Sequence, residues 1–186
     1  MSTKDVLIIG SGAAGSSAAF HLAKGGHSVV LLEKAKEVAI KPCGGGMAAS
    51  VQKWFPFNLT PVVDEVIKKV EFSWFLEDPV IAELPGSAPF WIVRRELLDT
   101  HIATQAINEG AELIRSFSVN KLCKVGHHWQ ATASDGRYIE ARAVVIADGS
   151  KSPWPTNYKL GPKRNHHALT TSVRLTGRGN LNSGTT

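Results

Sequence analysis

The sequence predicts an α/β fold that contains a parallel sheet, and three apolar runs carry that prediction. Val6–Ile9 is the first run, and a glycine-rich turn follows it. Ser28–Leu32 is the second, after a segment of helix-forming residues. Ala143–Ala147 is the third, and it leads into Asp148-Gly149. Uninterrupted apolar runs are typical of strands buried on both faces, so we expect each run to be a fully buried strand.

The turn after the first strand has the spacing G-x-G-x-x-G, at Gly10, Gly12 and Gly15. Gly10 permits the tight turn, Gly12 lets the backbone approach a pyrophosphate, and Gly15 allows close packing of helix on strand. Ala13 and Ala14 open the helix that follows. Its first turn offers free N–H groups and the positive end of the helix dipole to phosphates. This turn therefore predicts a dinucleotide site.

An acidic residue at the end of the second strand supports the same site. Glu33 lies about 20 residues after the glycine turn, where a carboxylate can accept hydrogen bonds from a ribose. An acid at this position fits an adenosine with a free 2′-OH, which favours FAD or NAD over NADP. Strand, helix, second strand and acid in this order make a βαβ unit with a complete dinucleotide fingerprint.

The next distinctive segment is a loop, Lys41–Gly46, that ends in three glycines. Consecutive glycines stabilise neither a helix nor a strand, because fixing their backbone loses much conformational entropy. We therefore expect the backbone here to pass very close to another group. The stretch after this loop is aromatic, and Trp74, Phe75, Phe90 and Trp91 fit either the inner face of a small sheet or one wall of an apolar substrate cavity.

The remaining elements follow from hydrophobic periodicity and turn residues. The pattern predicts helices over about residues 14–24, Met47–Trp54 and Arg94–Glu109. It predicts strands at Ile67–Trp74, Val80–Leu84, Phe90–Val93, Ala111–Phe117, Val119–Val125, Trp129–Ala133, Tyr138–Ala141 and Ala168–Leu175. Asp135-Gly136 is expected to form a hairpin turn. Gly177–Thr186 has almost no apolar residues, so we expect it to be disordered.

Composition limits the class of protein. The chain has 186 residues, is 43% hydrophobic and carries a net charge of +5, which allows one domain, or one and a half, with a real core. No apolar run reaches 18 residues, the first strand begins at once, and there are only two cysteines. We therefore expect a cytoplasmic protein without membrane span or signal peptide. The positive charge fits a solvated surface, with attraction to an anionic membrane surface, as peripheral binding, or to a phosphorylated substrate left open. No motif accompanies the charge that would bind nucleic acid.

Several of these segments together resemble the flavoprotein reductases of the geranylgeranyl reductase family, within a larger group of FAD enzymes that includes aromatic hydroxylases. The matching segments, over about residues 5–175, are Gly10–Gly15, Glu33, Pro42–Gly46, Arg95–Asp99 with Gly110-Ala111, and Ala147–Ser152. The Pro42–Gly46 loop is the specific part, since the G-x-G-x-x-G spacing is shared by many families.

The resemblance implies a Rossmann-like FAD-binding domain, with a βαβ start, a parallel sheet and a β meander, joined to part of an antiparallel substrate lobe. The FAD domain would comprise residues 1–65 and 94–155, and the lobe residues 66–93 and 156–186. Reduced flavin would pass a hydride to a carbon–carbon double bond of a prenyl chain, with NADPH or ferredoxin as electron donor.

The resemblance also assigns residues by position, without a catalytic residue or a metal ligand. Those implied to contact FAD are Gly10, Gly12, Ala13, Ala14 and Gly15 at the pyrophosphate, Glu33 at the ribose with Lys34 beside it, and Cys43, Gly44, Gly45 and Gly46 along the flavin. Arg95 would reach the phosphate or ribose side of the cofactor, the backbone of Val119 would touch the adenine, and Asp148 and Gly149 would close over the cofactor from the other side. The two histidine pairs, His127-His128 and His166-His167, are expected in surface loops.

The chain departs from the family in length, because members of the family are considerably longer. Their third flavin motif, a Gly-Asp, has no counterpart here. We therefore expect an N-terminal portion of such a reductase. Strands of the second lobe would lack partners around Trp74, Phe75 and Trp91, so we also expect self-association. Two alternative functions stay open: a flavin monooxygenase or halogenase of the same fold group, and an FAD-binding fragment without turnover.

Overall fold

The computed structural model describes residues 3–38 and 40–161. Contacts divide them into two compact units, one of residues 3–38 and 99–161 and the other of residues 40–98. The domain boundaries expected from the sequence divide residues that bind the cofactor from residues that bind the substrate, whereas these units are defined by contacts alone. The expected boundaries therefore stay a prediction. The expected strand Ala168–Leu175, the pair His166-His167 and the expected disorder of Gly177–Thr186 lie outside the described residues.

The secondary structure alternates between the two units along the chain. The strands are β1 Lys4–Ile9, β2 Val29–Leu32, β3 Gly46–Ala48, β4 Val63–Ile67, β5 Lys69–Trp74, β6 Glu77–Glu83, β7 Phe90–Val93, β8 Glu112–Ile114, β9 Val119–Val125, β10 His128–Ala133 and β11 Tyr138–Ile146. The α-helices are α1 Ala13–Lys24, α2 Arg95–Asn108 and α3 Trp154–Asn157, and short 3₁₀ helices cover Ala49–Trp54 and Thr60–Val62.

The first unit is built on a six-stranded sheet with the order β8-β2-β1-β11-β10-β9. The first four strands are parallel, and β11, β10 and β9 form the expected antiparallel meander. The fold class predicted from the sequence, a parallel sheet with a β meander, is confirmed. The Asp135-Gly136 turn also forms, with the Gly136 N–H donating to the Ala133 carbonyl at 3.1 Å.

The strand β11 corrects two predictions at once. The sequence indicated separate strands at Tyr138–Ala141 and Ala143–Ala147, whereas β11 runs unbroken through Arg142. Its first half pairs with β10 and its second half with β1. One polar residue does not interrupt the strand, because the Arg142 side chain reaches Asp5 at the surface.

The second half of β11 is not fully buried, contrary to the prediction. Ala143 is exposed, and the next four residues are only half-buried, whereas β1 and β2 reach 0% exposure at Leu7, Ile8 and Val30. The reason is that one side of this half of β11 has no neighbouring strand among the described residues. Since β10 pairs with β11 only up to Ala141, no strand within residues 3–38 and 40–161 covers the outer edge beyond it.

The backbone of this half-strand alternates between two environments. The Ala147 N–H donates to the Ile9 carbonyl of β1 at 2.9 Å. Because successive N–H groups of a strand point to opposite sides, the N–H of Val145 also faces β1 and those of Val144 and Ile146 face outwards.

An apolar cavity of about 410 Å³ adjoins Val144 and Ile146. Its lining consists of Leu122, Trp129, Val144, Ile146, Tyr158 and Leu160.

The strand predicted at Ala111–Phe117 is shorter and less buried than expected. Only Glu112–Ile114 is extended as β8, and Glu112 is exposed. This strand pairs only with β2 and forms the edge of the sheet. An edge strand has one neighbour and therefore less cover, which an apolar run in the sequence does not reveal.

Asp5, near the start of β1, forms hydrogen bonds and an ion pair with residues of the neighbouring parallel strands. One of its carboxylate oxygens accepts hydrogen bonds from the N–H and the Oγ–H of Ser28, both at 2.8 Å, and the other pairs with the Arg142 guanidinium. The Ser28 N–H and the guanidinium hold the pKa of Asp5 well below its usual value of 3.8. Lys4 and Glu112 form a second ion pair at this edge, at 2.9 Å.

We expect the Asp5→Asn variant to be less stable than the wild type at neutral pH. A carboxyl whose pKa is depressed in the folded state stabilises the protein above its usual pKa, and that stabilisation is lost as the pH falls below it. Urea unfolding at about pH 7 and about pH 3 should therefore show a smaller difference between the two proteins at the lower pH. A difference of the same size at both would contradict this role.

The second unit holds two small antiparallel sheets, β3-β7-β4 and β5-β6. The helix predicted at Met47–Trp54 begins two residues late, as a 3₁₀ helix, because Met47 pairs with Trp91 in β3 and β7. Trp91 is only 6% exposed, so the expectation that it contributes to an exposed apolar surface is wrong. Trp74 and Phe75 do lie at the surface, with 75% and 83% of their area exposed.

Candidate cofactor site

The candidate site lies at the carboxyl edge of the parallel strands in the first unit. Ile9, the last residue of β1, is in register with Leu32 at the end of β2 and with Ile146 at the end of β11. The residues that follow these three strand ends therefore meet at one edge. Ligands of open parallel sheets bind in the crevice outside this edge.

The glycine turn after β1 is in direct contact with the loop after β11. A Cβ on Gly10 would lie 2.5 Å from the Ala147 carbonyl oxygen and 2.8 Å from the Asp148 Cα. A Cβ on Gly15 would lie 1.8 Å from the Gly10 carbonyl oxygen. Two of the three glycines are thus required by the packing of the chain on itself. The structure brings Asp148-Gly149 to this turn, and their contact with the cofactor stays a prediction.

The N-terminus of α1 opens from the same turn. Its first internal hydrogen bond runs from the Ser16 N–H to the Gly12 carbonyl, at 2.9 Å, so the N–H groups of Ala13, Ala14 and Gly15 have no acceptor within the helix. No side chain caps this end, and its first turn holds no acidic residue. The positive end of the helix dipole is therefore available to an anionic group.

Glu33 is held against the glycine turn. Its Oε2 accepts hydrogen bonds from the Ser11 N–H at 3.0 Å and the Ser11 Oγ–H at 2.7 Å, and its Oε1 accepts one from the Ala35 N–H at 2.9 Å. Ser16 Oγ donates in turn to the Ser11 carbonyl at 2.9 Å. The ribose contact stays a prediction, and the carboxylate also fixes the shape of the turn. Sequence reasoning missed Ser11, although a hydroxyl inside the G-x-G spacing was a signal for it.

Asp148 presents a buried polar atom toward which no partner is directed. Within the described part of the chain, its Oδ1 is shielded from solvent and accepts no hydrogen bond. A buried acceptor without a partner is unfavourable, so a bound group with hydrogen-bond donors would satisfy it. Hydroxyl groups of a dinucleotide are such donors.

Two further residues with predicted cofactor contacts, Val119 and Lys34, lie near Glu33. The Phe117 N–H donates to the Glu33 carbonyl at 2.9 Å, which brings the start of β9, at Val119, to the region of the second strand end. Lys34 directly follows Glu33 and is exposed. The roles of Val119 at an adenine and of Lys34 stay predictions.

The other predicted residues belong to the second unit. Cys43 is exposed, and its Sγ accepts a hydrogen bond from the Gly45 N–H at 3.4 Å. The close approach expected of the glycines exists inside this unit, because a Cβ on Gly45 would lie 1.9 Å from the Val93 carbonyl oxygen and one on Gly46 would lie 3.0 Å from the Phe90 ring. The flavin contacts of Cys43–Gly46 and the cofactor contact of Arg95 stay predictions.

The described residues fit the adenosine half of a dinucleotide. An open helix N-terminus suits a pyrophosphate, a carboxylate stands at the end of the second strand, and Asp148 supplies an acceptor from the facing loop. No group of three or more potential metal ligands occurs within residues 3–38 and 40–161. In the same part of the chain, no helix is both long and apolar enough to span a membrane.

Comparison with known proteins identifies the class. A family model described as an FAD binding domain matches residues 5–56. The structure of a geranylgeranyl bacteriochlorophyll reductase-like protein from Thermoplasma acidophilum aligns with a TM-score of 0.69 and 24% identity, over 80% of this chain and 40% of that one. The halogenase PltM in complex with phloroglucinol and FAD aligns with a TM-score of 0.69 and 20% identity, over 84% and 36%. The fold is that of Rossmann-like FAD-binding oxidoreductases.

Curated relatives confirm the resemblance to the geranylgeranyl reductases. Geranylgeranyl diphosphate reductase of Oryza sativa subsp. japonica is 32% identical over 79% of this chain and 35% of its own length. Digeranylgeranylglycerophospholipid reductase of Picrophilus torridus is 32% identical over 80% and 40%. The probable electron transfer flavoprotein-quinone oxidoreductase YdiS of Escherichia coli K12 is 24% identical over 91% and 42%. The chain thus spans 35–42% of the length of these relatives.

Proposed function

We propose that this chain is the FAD-binding part of an oxidoreductase that reduces carbon–carbon double bonds in the isoprenoid chain of its substrate. The observation that carries the proposal is the 32% identity to two reductases whose substrates bear geranylgeranyl groups. The geometry of the first unit supports the cofactor, and the relatives support the reaction. NADPH and ferredoxin both remain candidates for the electron donor.

In this proposal three parts of the first unit hold FAD. The N–H groups at the start of α1 bind the pyrophosphate, Glu33 accepts hydrogen bonds from the adenosine ribose, and Asp148 closes the site from the loop after β11. Reduced flavin, when bound, supplies the hydride for the double bond. No described residue is assigned as the proton donor.

The test starts from the complete chain purified and incubated with FAD. Retained visible flavin absorption after gel filtration is expected. The flavin is then reduced chemically without oxygen and mixed with geranylgeranyl diphosphate, and the product should gain two hydrogen atoms for each reduced double bond by mass spectrometry. Colourless protein would overturn the cofactor assignment, and yellow protein that leaves the prenyl compound unchanged would support the alternative of an FAD-binding fragment without turnover.

A second candidate function is electron transfer to a quinone, which the similarity to YdiS favours. The same reduced protein mixed with a soluble ubiquinone analogue distinguishes the two. Reoxidation by the quinone, with no reduction of the prenyl compound, would favour this candidate. The likeness to the halogenase concerns the fold alone, so the monooxygenase or halogenase alternative gains no specific support from it.

We expect Glu33→Gln to weaken FAD binding by about tenfold to a hundredfold, since hydrogen bonds to a charged group contribute about 1.5–3 kcal/mol. Equilibrium dialysis or fluorescence titration with FAD measures the effect. Ser11→Ala is the matched control: it removes one of the hydrogen bonds that Glu33 accepts within the turn and leaves the carboxylate in place for a ribose. If Ser11→Ala weakens binding as much as Glu33→Gln, Glu33 acts only by fixing the turn.

A further inference from the structure

The carboxylate of Glu33 is held in one position by donors from two segments of the chain. Ser11 donates twice to its Oε2, from the backbone N–H at 3.0 Å and from the Oγ–H at 2.7 Å. The Ala35 N–H donates to its Oε1 at 2.9 Å. Hydrogen bonds to an ionised acceptor are stronger than those between neutral groups. Turning the side chain away from the glycine turn would break all three bonds.

Ser11 is itself fixed by the backbone on both sides. Its carbonyl accepts a hydrogen bond from the Ser16 Oγ at 2.9 Å, and Ser16 is 0% exposed in the first turns of α1. The Gly10 N–H donates to the Leu32 carbonyl at 2.8 Å, which joins the residue before Ser11 to the residue before Glu33. The Ser11 hydroxyl is therefore kept within reach of the carboxylate.

This arrangement bears on which adenosine nucleotides the site admits. A ribose with a free 2′-OH can donate a hydrogen bond to the Glu33 carboxylate, whereas a 2′-phosphate brings only acceptors and further negative charge. The phosphate is admitted only if the carboxylate moves away. The charge of an acid is thus a weak barrier when the side chain is mobile and a strong one when it is held. Holding a repulsive group in place is a general means of specificity.

We propose that Ser11 is a positioning residue that locks Glu33 against the glycine turn, and that this lock excludes adenosine nucleotides with a 2′-phosphate from the cofactor site. The inference rests on the proposed function, because it concerns the site assigned there to FAD. It also bears on the electron donor. NADPH, one of the two candidates, carries a 2′-phosphate, and the lock prevents it from competing with FAD for the adenosine half of the site.

The test is calorimetric titration of the complete chain with ADP-ribose and with 2′-phospho-ADP-ribose, which differ only in the 2′-phosphate. The measured quantity is the ratio of the two dissociation constants. We expect the wild type to bind ADP-ribose at least about a hundredfold more tightly than the phosphorylated form. Ser11→Ala should lower this ratio about tenfold, the effect of losing one hydrogen bond to a charged group. A purely structural disturbance of the turn would weaken both ligands alike and leave the ratio unchanged.

Two further variants isolate the hydroxyl group. Ser11→Thr keeps an Oγ–H at the same position and should keep the ratio of the wild type. Ser17→Ala removes a different hydroxyl of α1, which donates to the Ala13 carbonyl at 2.6 Å and does not reach Glu33. It should also keep the ratio.

The outcomes separate this proposal from the proposed cofactor. If the wild type binds both ligands equally, or if Ser11→Ala keeps the full ratio, the lock is overturned while the dinucleotide site stands. A Ser11→Thr variant that loses the ratio as Ser11→Ala does would show that the hydroxyl is not the cause. If the wild type binds neither ligand, the dinucleotide site and the lock are both overturned.

Discussion

The variant Gly15→Ala is expected to lose FAD binding and to be less stable by about 3 kcal/mol, the range of strongly overpacked core sites. The added Cβ would lie 1.8 Å from the Gly10 carbonyl oxygen and 3.3 Å from the Ala147 Cβ. The first contact is with backbone, so no side-chain rotation relieves it. The helix must move away from the strand, and with it the N–H groups that face the pyrophosphate.

Gly12→Ala separates binding from stability at the same turn. Gly12 has φ −69° and ψ −178°, which any residue adopts. We therefore expect this variant to unfold at nearly the urea concentration of the wild type and still to bind FAD more weakly, because the methyl group would meet the phosphates. Urea unfolding and FAD titration of both variants give the comparison. Unaltered FAD affinity in both would show that the dinucleotide does not bind at this turn.

In the second unit, Gly45→Ala is expected to lower the free energy of unfolding by about 3 kcal/mol, from the strain of positive φ and a backbone overlap together. Gly45 has φ +77°, and a Cβ there would lie 1.9 Å from the Val93 carbonyl oxygen. The overlap would also displace the Val93 N–H, which donates to the Gly45 carbonyl at 3.0 Å. Thermal or urea unfolding measures the loss.

The neighbouring glycine provides the control for this prediction. A Cβ on Gly44 would meet nothing within 4 Å, so Gly44→Ala should change stability by less than about 1 kcal/mol. If the two variants are equally stable, the loop does not pack on β7 as described. If Gly44→Ala alone weakens FAD binding, the open side of Gly44 faces the cofactor.

The residues of the first βαβ unit were predictable because local chemistry and packing agree there. The apolar runs, the G-x-G-x-x-G spacing and the acid at position 33 each point to the same unit, and α1 ends at Lys24 as predicted. Glu33 and the glycine turn were also expected to share a site, since both follow parallel strands. The hydrogen bonds between Glu33 and Ser11 depend on side-chain geometry that spacing does not encode.

Outside the first βαβ unit, the local sequence did not reveal which strands and side chains lie beside a given residue in the fold. The apolar run of β11 indicates burial, but its exposure depends on a neighbouring strand that the local sequence does not specify. Trp91 and Trp74 have the same local preference, yet one lies in the middle of a three-stranded sheet and the other near the tip of a hairpin. The glycines after Cys43 were correctly expected to pass close to a group, and two of them contact β7.

The one-sided pairing of β11 has a consequence for its amide protons. In deuterated solvent, the N–H groups of Val145 and Ala147, which face β1, should exchange slowly, whereas those of Val144 and Ile146 should exchange quickly. Protection of the amide protons from exchange would then alternate residue by residue along this one strand. Uniform slow exchange would mean that another segment already lies along this edge in solution.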